Sequence, residues 1–485
     1  MSRSGSRNSV LAVAALALLL LPLLALTPRR PKILPSHAVS SRLSPVAFVG
    51  VNVVPMDRDE ILENQTVLVR EGRITAIGPA ETTRIPSRAY VVEAAGRYLC
   101  PGLSDMHVHL SNDDDLPLYV ANGITTVRVM GGTKRILELR YDIRRGALLG
   151  PRIYTAGPMI DGPAPIWPQA DVLTDPSHAD ELVREYKAAG YDFVKVYVGL
   201  SPTVYNAVRR AARKYGLRVV GHVPYATELE TVLRSGQASI EHLDGYIEAV
   251  QKDDSPYQGK SDVATRLYAV DHVDDLKIRE IAQATADAGV WNCPTLVVEQ
   301  NWSTATEADA RFQRPELQYM LAPTVEWWRK HAGTNLSGEQ SEYYEKLFEV
   351  RKKLVRAMYV AGARLLAGSD SPNPLTVHGF SLHDELGYLK EAGLSNFDVL
   401  RTATVNAAEF LEGSRAKSGA IREGYRADLL LIDGNPLEDL AHLRKPVGVM
   451  LAGGWYTSAQ LAQMLDDVKE QRQRYSNRRS PRRRR

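Results

Sequence analysis

The sequence predicts a (β/α)₈ barrel of the TIM type carrying a small β-sandwich-like domain built from both chain ends. Three observations carry that expectation. Eight short apolar runs with strand character alternate with helical stretches through the middle of the chain, glycine-punctuated β-type stretches flank them on either side, and five of the eight runs carry a histidine, a lysine or an aspartate at or near their C-terminal ends. In such a barrel the C-terminal strand ends form the reactive rim. At 485 residues, 44% hydrophobic and 24% charged, the chain has room for one large core and a smaller one.

The elements follow in chain order. Residues 1–30 hold Arg3 and Arg7, an apolar run from Val10 to Leu26, and then PRR. That layout is an export signal, and its length of about 17 residues also reaches the lower limit for a membrane span. The protein is therefore expected to be exported, periplasmic or extracellular, with an uncleaved membrane anchor as the alternative because no small-x-small site follows at once. Residues 44–99 (AFVGVNVVP, TVLVREGRITAIGP, YVVEAAGRYL) form the first half of the small β domain.

Residues 100–412 form the barrel, with strands at 102–110, 123–130, 151–160, 191–198, 217–224, 239–246, 290–298 and 364–372. Helical stretches such as PSHADELVREYKAAG and SPTVYNAVRRAARKYG end in glycine just before the next strand. Residues 299–350 are helix-prone and aromatic (Trp302, Tyr319, Trp327, Trp328, Tyr343, Tyr344) and read either as an insertion over the barrel mouth or as helix packing. Residues 413–457 complete the small domain. Residues 458–485 form a basic tail that is expected to be disordered. Its last fourteen residues, RQRYSNRRSPRRRR, hold eight arginines, and without them the net charge falls from +3 to −5. Anionic lipid is a candidate contact for the tail; with only Tyr475 interleaved, no nucleic-acid partner is expected.

Only two cysteines occur, Cys100 and Cys293, each in an apolar run, so a metal would have to be held by nitrogen and oxygen. The strand ends offer such ligands. His107 and His109 close the first strand, Lys195 lies in the fourth, His222 and His242 end the fifth and sixth, and Asp370 ends the eighth. Residues i and i+2 of a strand share a face, so the two imidazoles of HVH project together. Each of these residues alone has an ordinary structural explanation. Jointly, four imidazoles, a lysine and a carboxylate at one barrel level carry a desolvation cost that a divalent metal such as zinc relieves. Tyr197, Tyr225 and His378 are read as either substrate contacts or packing, and Arg128 and Arg135 as either carboxylate receptors or surface ion pairs.

This ordered set, with GHVPYATELETVLRSGQASIEHLDG, AGSDSPNP and HGFSLHDELGYLKEAGLSNFDVLRTATVNAAEFL, resembles the amidohydrolase superfamily in its two-metal form, and within it the imidazolonepropionase-like and Xaa-Pro dipeptidase branch. The resemblance implies two divalent ions, zinc by preference. His107, His109 and Asp370 would hold the buried ion, and His222 and His242 the exposed one. Lys195, carboxylated by carbon dioxide to a carbamate, would bridge them, and a shared hydroxide would attack the substrate. Asp370 would be the catalytic base. The implied activity is hydrolysis of an amide bond in a small molecule or short peptide, Xaa-Pro dipeptides among them. The alternatives are cyclic-amide or imidazolone hydrolysis, deamination, and a non-catalytic metal-binding surface protein.

Overall fold

The computed structural model describes residues 39–110, 113–261, 263–303, 308–331 and 338–479. The apolar leader and the last six residues of the basic tail lie outside them. Eight parallel strands form the barrel: β1 (Leu103–Val108), β2 (Ile124–Val129), β3 (Arg152–Thr155), β4 (Phe193–Val196), β5 (Arg218–Gly221), β6 (Ser239–Glu241), β7 (Trp291–Cys293) and β8 (Arg364–Leu365). Neighbours pair in sequence order, with β3 joined to β4 through the bridge Ala156 to Phe193. The ring closes through Val108 and Ser371, where Asp370 N donates to His107 O at 2.7 Å and His109 N to Ser371 O at 2.8 Å. Each strand falls within its sequence run and is shorter than it, because the run continues past the paired residues into the polar rim.

Apolar alternation explains the layering. Met106, Phe193, Val220, Cys293 and Leu366 fill the barrel interior, while Val127, Val194, Val219 and Ile240 face the helices. The helices Ala179–Ala189 and Pro202–Tyr215 stop at Gly190 and Gly216, whose φ values of 90° and 65° are reached without the penalty a Cβ would bring. Ser201 caps the second helix by accepting from Val204 N.

The strands expected to form a sandwich-like unit are hydrogen-bonded into one nine-stranded mixed sheet. Leu429–Ile432, from the C-terminal part, lies antiparallel to Tyr98–Pro101, from the N-terminal part, so the two chain ends are stitched at the sheet centre. Phe48, Val51, Leu99, Leu429, Leu431, Met450 and Trp455 form its core.

Residues 296–360 are largely helical, in the segments Leu296–Ser303, Ala308–Arg311, Pro315–Tyr319, Ala322–His331 and Gly338–Val360. Trp328 packs with Phe312, Leu317 and Met320 against Leu375 and Val377, in the loop that follows Asp370. The insertion therefore leans on the rim.

As far as residue 479, the tail differs from expectation. Ser458–Arg479 is a helix of 22 residues. Leu461, Met464 and Val468 recur at helical spacing and are buried, an apolar stripe that gives this charged segment a packed face. Among the described residues no helix is long and apolar enough to cross a membrane.

Candidate metal centre

Strand geometry delivers the polar groups to one place. His107 is fully buried within β1, and His109, just past its end, keeps its side chain 34% exposed. His222 follows Gly221, which has φ of 120°; a Cβ there would meet Val196 O at 2.3 Å, so the chain turns into the rim only with glycine at that position. His242, Thr295 and Asp370, past the ends of β6, β7 and β8, have φ of 60°, 50° and 51°. Non-glycine residues in this region cost about 1–3 kcal/mol each, and such strain persists where surrounding contacts over-determine it.

Those contacts begin beneath the rim. Arg128, on β2 and completely buried, donates to both oxygens of Glu241 at 3.0 and 2.8 Å and to Ser239 Oγ at 2.9 Å. Burial alone would raise the Glu241 carboxyl; Arg128 and His107 nevertheless hold it well below the usual carboxylate range. Glu241 is thus an acceptor, and His107 Nδ1, 2.9 Å away, is the donor. Burial pushes His107 down to about 4, which keeps the imidazole neutral. Its Nε2 therefore carries a lone pair.

That lone pair faces Asp370 Oδ1 at 3.4 Å; both atoms are buried and neither makes a well-aligned hydrogen bond, although His109 Nε2 approaches Asp370 Oδ1 to 3.1 Å. Two unsatisfied acceptors aimed at one another are unfavourable unless a cation sits between them. His242 completes the group: its ring lies 4.7 Å from that of His107, and one donor atom each from His107, His242 and Asp370 fall within 4.8 Å of one another. Neutral imidazole nitrogens with a carboxylate oxygen suit zinc and similar divalent ions, and the Glu241 and Thr295 contacts, the latter at 2.8 Å from His242 Nδ1, orient the ligands from outside.

The other expected ligands surround this trio. His109 Nε2 lies 3.1 Å from Asp370 Oδ1. The His222 ring lies 5.0 Å from that of His242, and its Nδ1 meets Asp244, which Arg266 grips at 2.6 Å. Lys195 is buried on β4, with its amine 5.9 Å from the Tyr197 ring and no ion pair among the described residues. Burial pushes that amine down to about 8. The Tyr197 ring in turn lies 4.2 Å from His222. His242, assigned by resemblance to the exposed ion, has its donor atom beside His107 and Asp370.

Tyr197 Oη accepts from Trp167 Nε1 at 2.9 Å, and His378 is buried against Tyr119 and Ser371. Arg128 is neither a carboxylate receptor at the rim nor a surface arginine; its guanidinium is consumed by Glu241. Arg135 is a surface ion pair with Asp113 at 3.1 Å. Sequence reasoning missed Glu241, Asp244 and Thr295. A signal existed for two of them, because SIEHLDG puts two carboxylates around His242 in an otherwise apolar stretch, and buried carboxylates require partners.

Comparison with known proteins fits this geometry. The sequence profile described as Amidohydrolase family matches residues 98–456. An ochratoxinase of Aspergillus niger is 22% identical over 448 residues, covering 83% of this chain and 84% of that protein. Among solved structures, a bottromycin amidohydrolase superimposes with a TM-score of 0.72 at 27% identity, covering 88% of this chain and 90% of that one. A putative prolidase from Bifidobacterium longum gives 0.63 at 24% identity, covering 88% and 99%.

Proposed function

The chain belongs to the amidohydrolase family, metal-dependent enzymes acting on carbon–nitrogen bonds, and from that premise we propose that it cleaves the amide bond of short peptides, Xaa-Pro dipeptides among them. The observation that carries the catalytic reading is the pair of orphaned acceptors, His107 Nε2 and Asp370 Oδ1, buried and facing each other. Divalent metal bound there would supply Lewis acidity to the scissile carbonyl and acidify the attacking water.

The chain's own residues do the rest. His107, His109, His222 and His242 would hold the metal, and Lys195, as a carbamate, would add an anionic oxygen ligand. A buried amine pushed down to about 8 spends part of its time neutral, the form that reacts with carbon dioxide. Asp370 takes the proton of the attacking water on a carboxylate oxygen and hands it to the leaving nitrogen. The bound ions are proposed to be zinc, on the nitrogen and oxygen ligand set. The dipeptide preference draws on the likeness in fold to a protein named as a prolidase. Export is proposed on the apolar leader alone, with membrane contact through that leader or the basic end.

The test is kcat/KM of metal-loaded protein on dipeptides, with and without C-terminal proline, beside N-acyl amino acids, lactams and imidazolones. Dipeptides are expected to lead the panel. Turnover confined to cyclic amides would replace this reading with cyclic-amide hydrolysis.

A further inference from the structure

The family profile ends at residue 456, and the helix Ser458–Arg479 follows it. After Leu461, Met464 and Val468, the next turn of its buried face presents Arg472, which is 5% exposed. A guanidinium so buried needs charged partners. Its Nη2 lies 2.5 Å from Asp115, its Nη1 lies 3.6 Å from Asp114, and its Nε donates to Tyr319 O at 2.9 Å. One side chain thus ties the loop that follows His109 to the insertion that leans on the rim.

From Asp115 the polar contacts run inward. His378 Nε2 lies 3.6 Å from Asp115, and its Nδ1 lies 2.8 Å from Tyr119 Oη and 3.1 Å from Ser371 Oγ. Ser371 Oγ lies 3.1 Å from Ser369 Oγ, which donates to Asp105 at 2.6 Å. Ser369 and Ser371 are the two neighbours of Asp370, the residue with φ of 51°. The contacts hold the chain on both sides of that torsion, and Arg472 is their outer anchor.

We propose that Arg472 is a positioning residue for the metal centre, acting through Asp115 and His378 to hold the Ser369–Ser371 segment and so the aim of the Asp370 carboxylate. The C-terminal helix is then part of the catalytic unit. This rests on the metal-centre reading above, and metal affinity tests it without needing a substrate. Removing groups that orient ligands from outside typically weakens metal binding about 10–100-fold.

The experiment measures Zn²⁺ affinity of the full chain by chelator competition, for wild type, Arg472→Ala, Arg472→Lys, Asp115→Asn and, as a control, Arg474→Ala on the exposed side of the same helix. Arg472→Ala and Asp115→Asn are expected to bind Zn²⁺ at least about tenfold more weakly. Millimolar guanidinium is expected to restore Arg472→Ala, with Arg472→Lys intermediate and Arg474→Ala unchanged. Equal affinity in wild type and Arg472→Ala overturns the proposal. So does a loss that neither guanidinium nor lysine recovers, which marks a folding defect. A wild-type chain without Zn²⁺ affinity overturns the metal centre as well, so the two failures are distinct.

Discussion

Asp370→Asn is expected to keep the fold and much of the bound metal while lowering kcat about 10²–10⁴-fold, the usual contribution of a positioned general base. The amide oxygen can still point at His107 and His109, where the carboxylate oxygen lies at 3.4 and 3.1 Å. It cannot accept the proton of the attacking water. The substitution is isosteric and the left-handed backbone is better tolerated by asparagine than by most residues, so loss of structure is a poor explanation for lost turnover. Measuring kcat and metal content on the same sample checks it. Near-normal kcat with metal retained would move the base elsewhere.

Arg128→Met is expected to destabilise the protein by about 3–5 kcal/mol, because it strands a buried carboxylate. Arg128 and Glu241 are both fully buried, and the arginine contacts both carboxylate oxygens. The same change removes the charge that holds Glu241 ionised, and with it the fixed acceptor for His107 Nδ1. The double variant Arg128→Met with Glu241→Gln is expected to recover part of the stability, since no charge is then left unpaired. Urea denaturation of the three proteins measures this directly; single and double variants of equal stability would show that the pair does not carry the predicted cost.

What the sequence made legible was set by range. The eight strand positions were readable because alternation, apolar runs and the glycines at 190 and 216 are local signals. The metal-binding candidates were readable because polar residues at strand ends conflict with burial. The support beneath them was not, because Arg128 and Glu241 are separated by 113 residues and only the closing of the barrel brings them together. Thr295 was invisible for a similar reason: nothing in WNCPTLVV says that its hydroxyl will meet His242. In the tail, arginine density overshadowed a three-residue apolar stripe. That stripe is weak by composition and decisive by spacing, and the aspartates that neutralise Arg472 lie at the other end of the chain.

The most direct measurement titrates metal-free protein with Zn²⁺ in bicarbonate buffer while following hydrolysis of the best amide from the substrate panel. The expected result is no turnover without metal, full turnover at two equivalents per chain, and a single bound equivalent with much reduced turnover in Lys195→Ala. Metal-free protein that hydrolyses the amide as fast as the loaded protein would contradict a metal centre built on His107, His242 and Asp370.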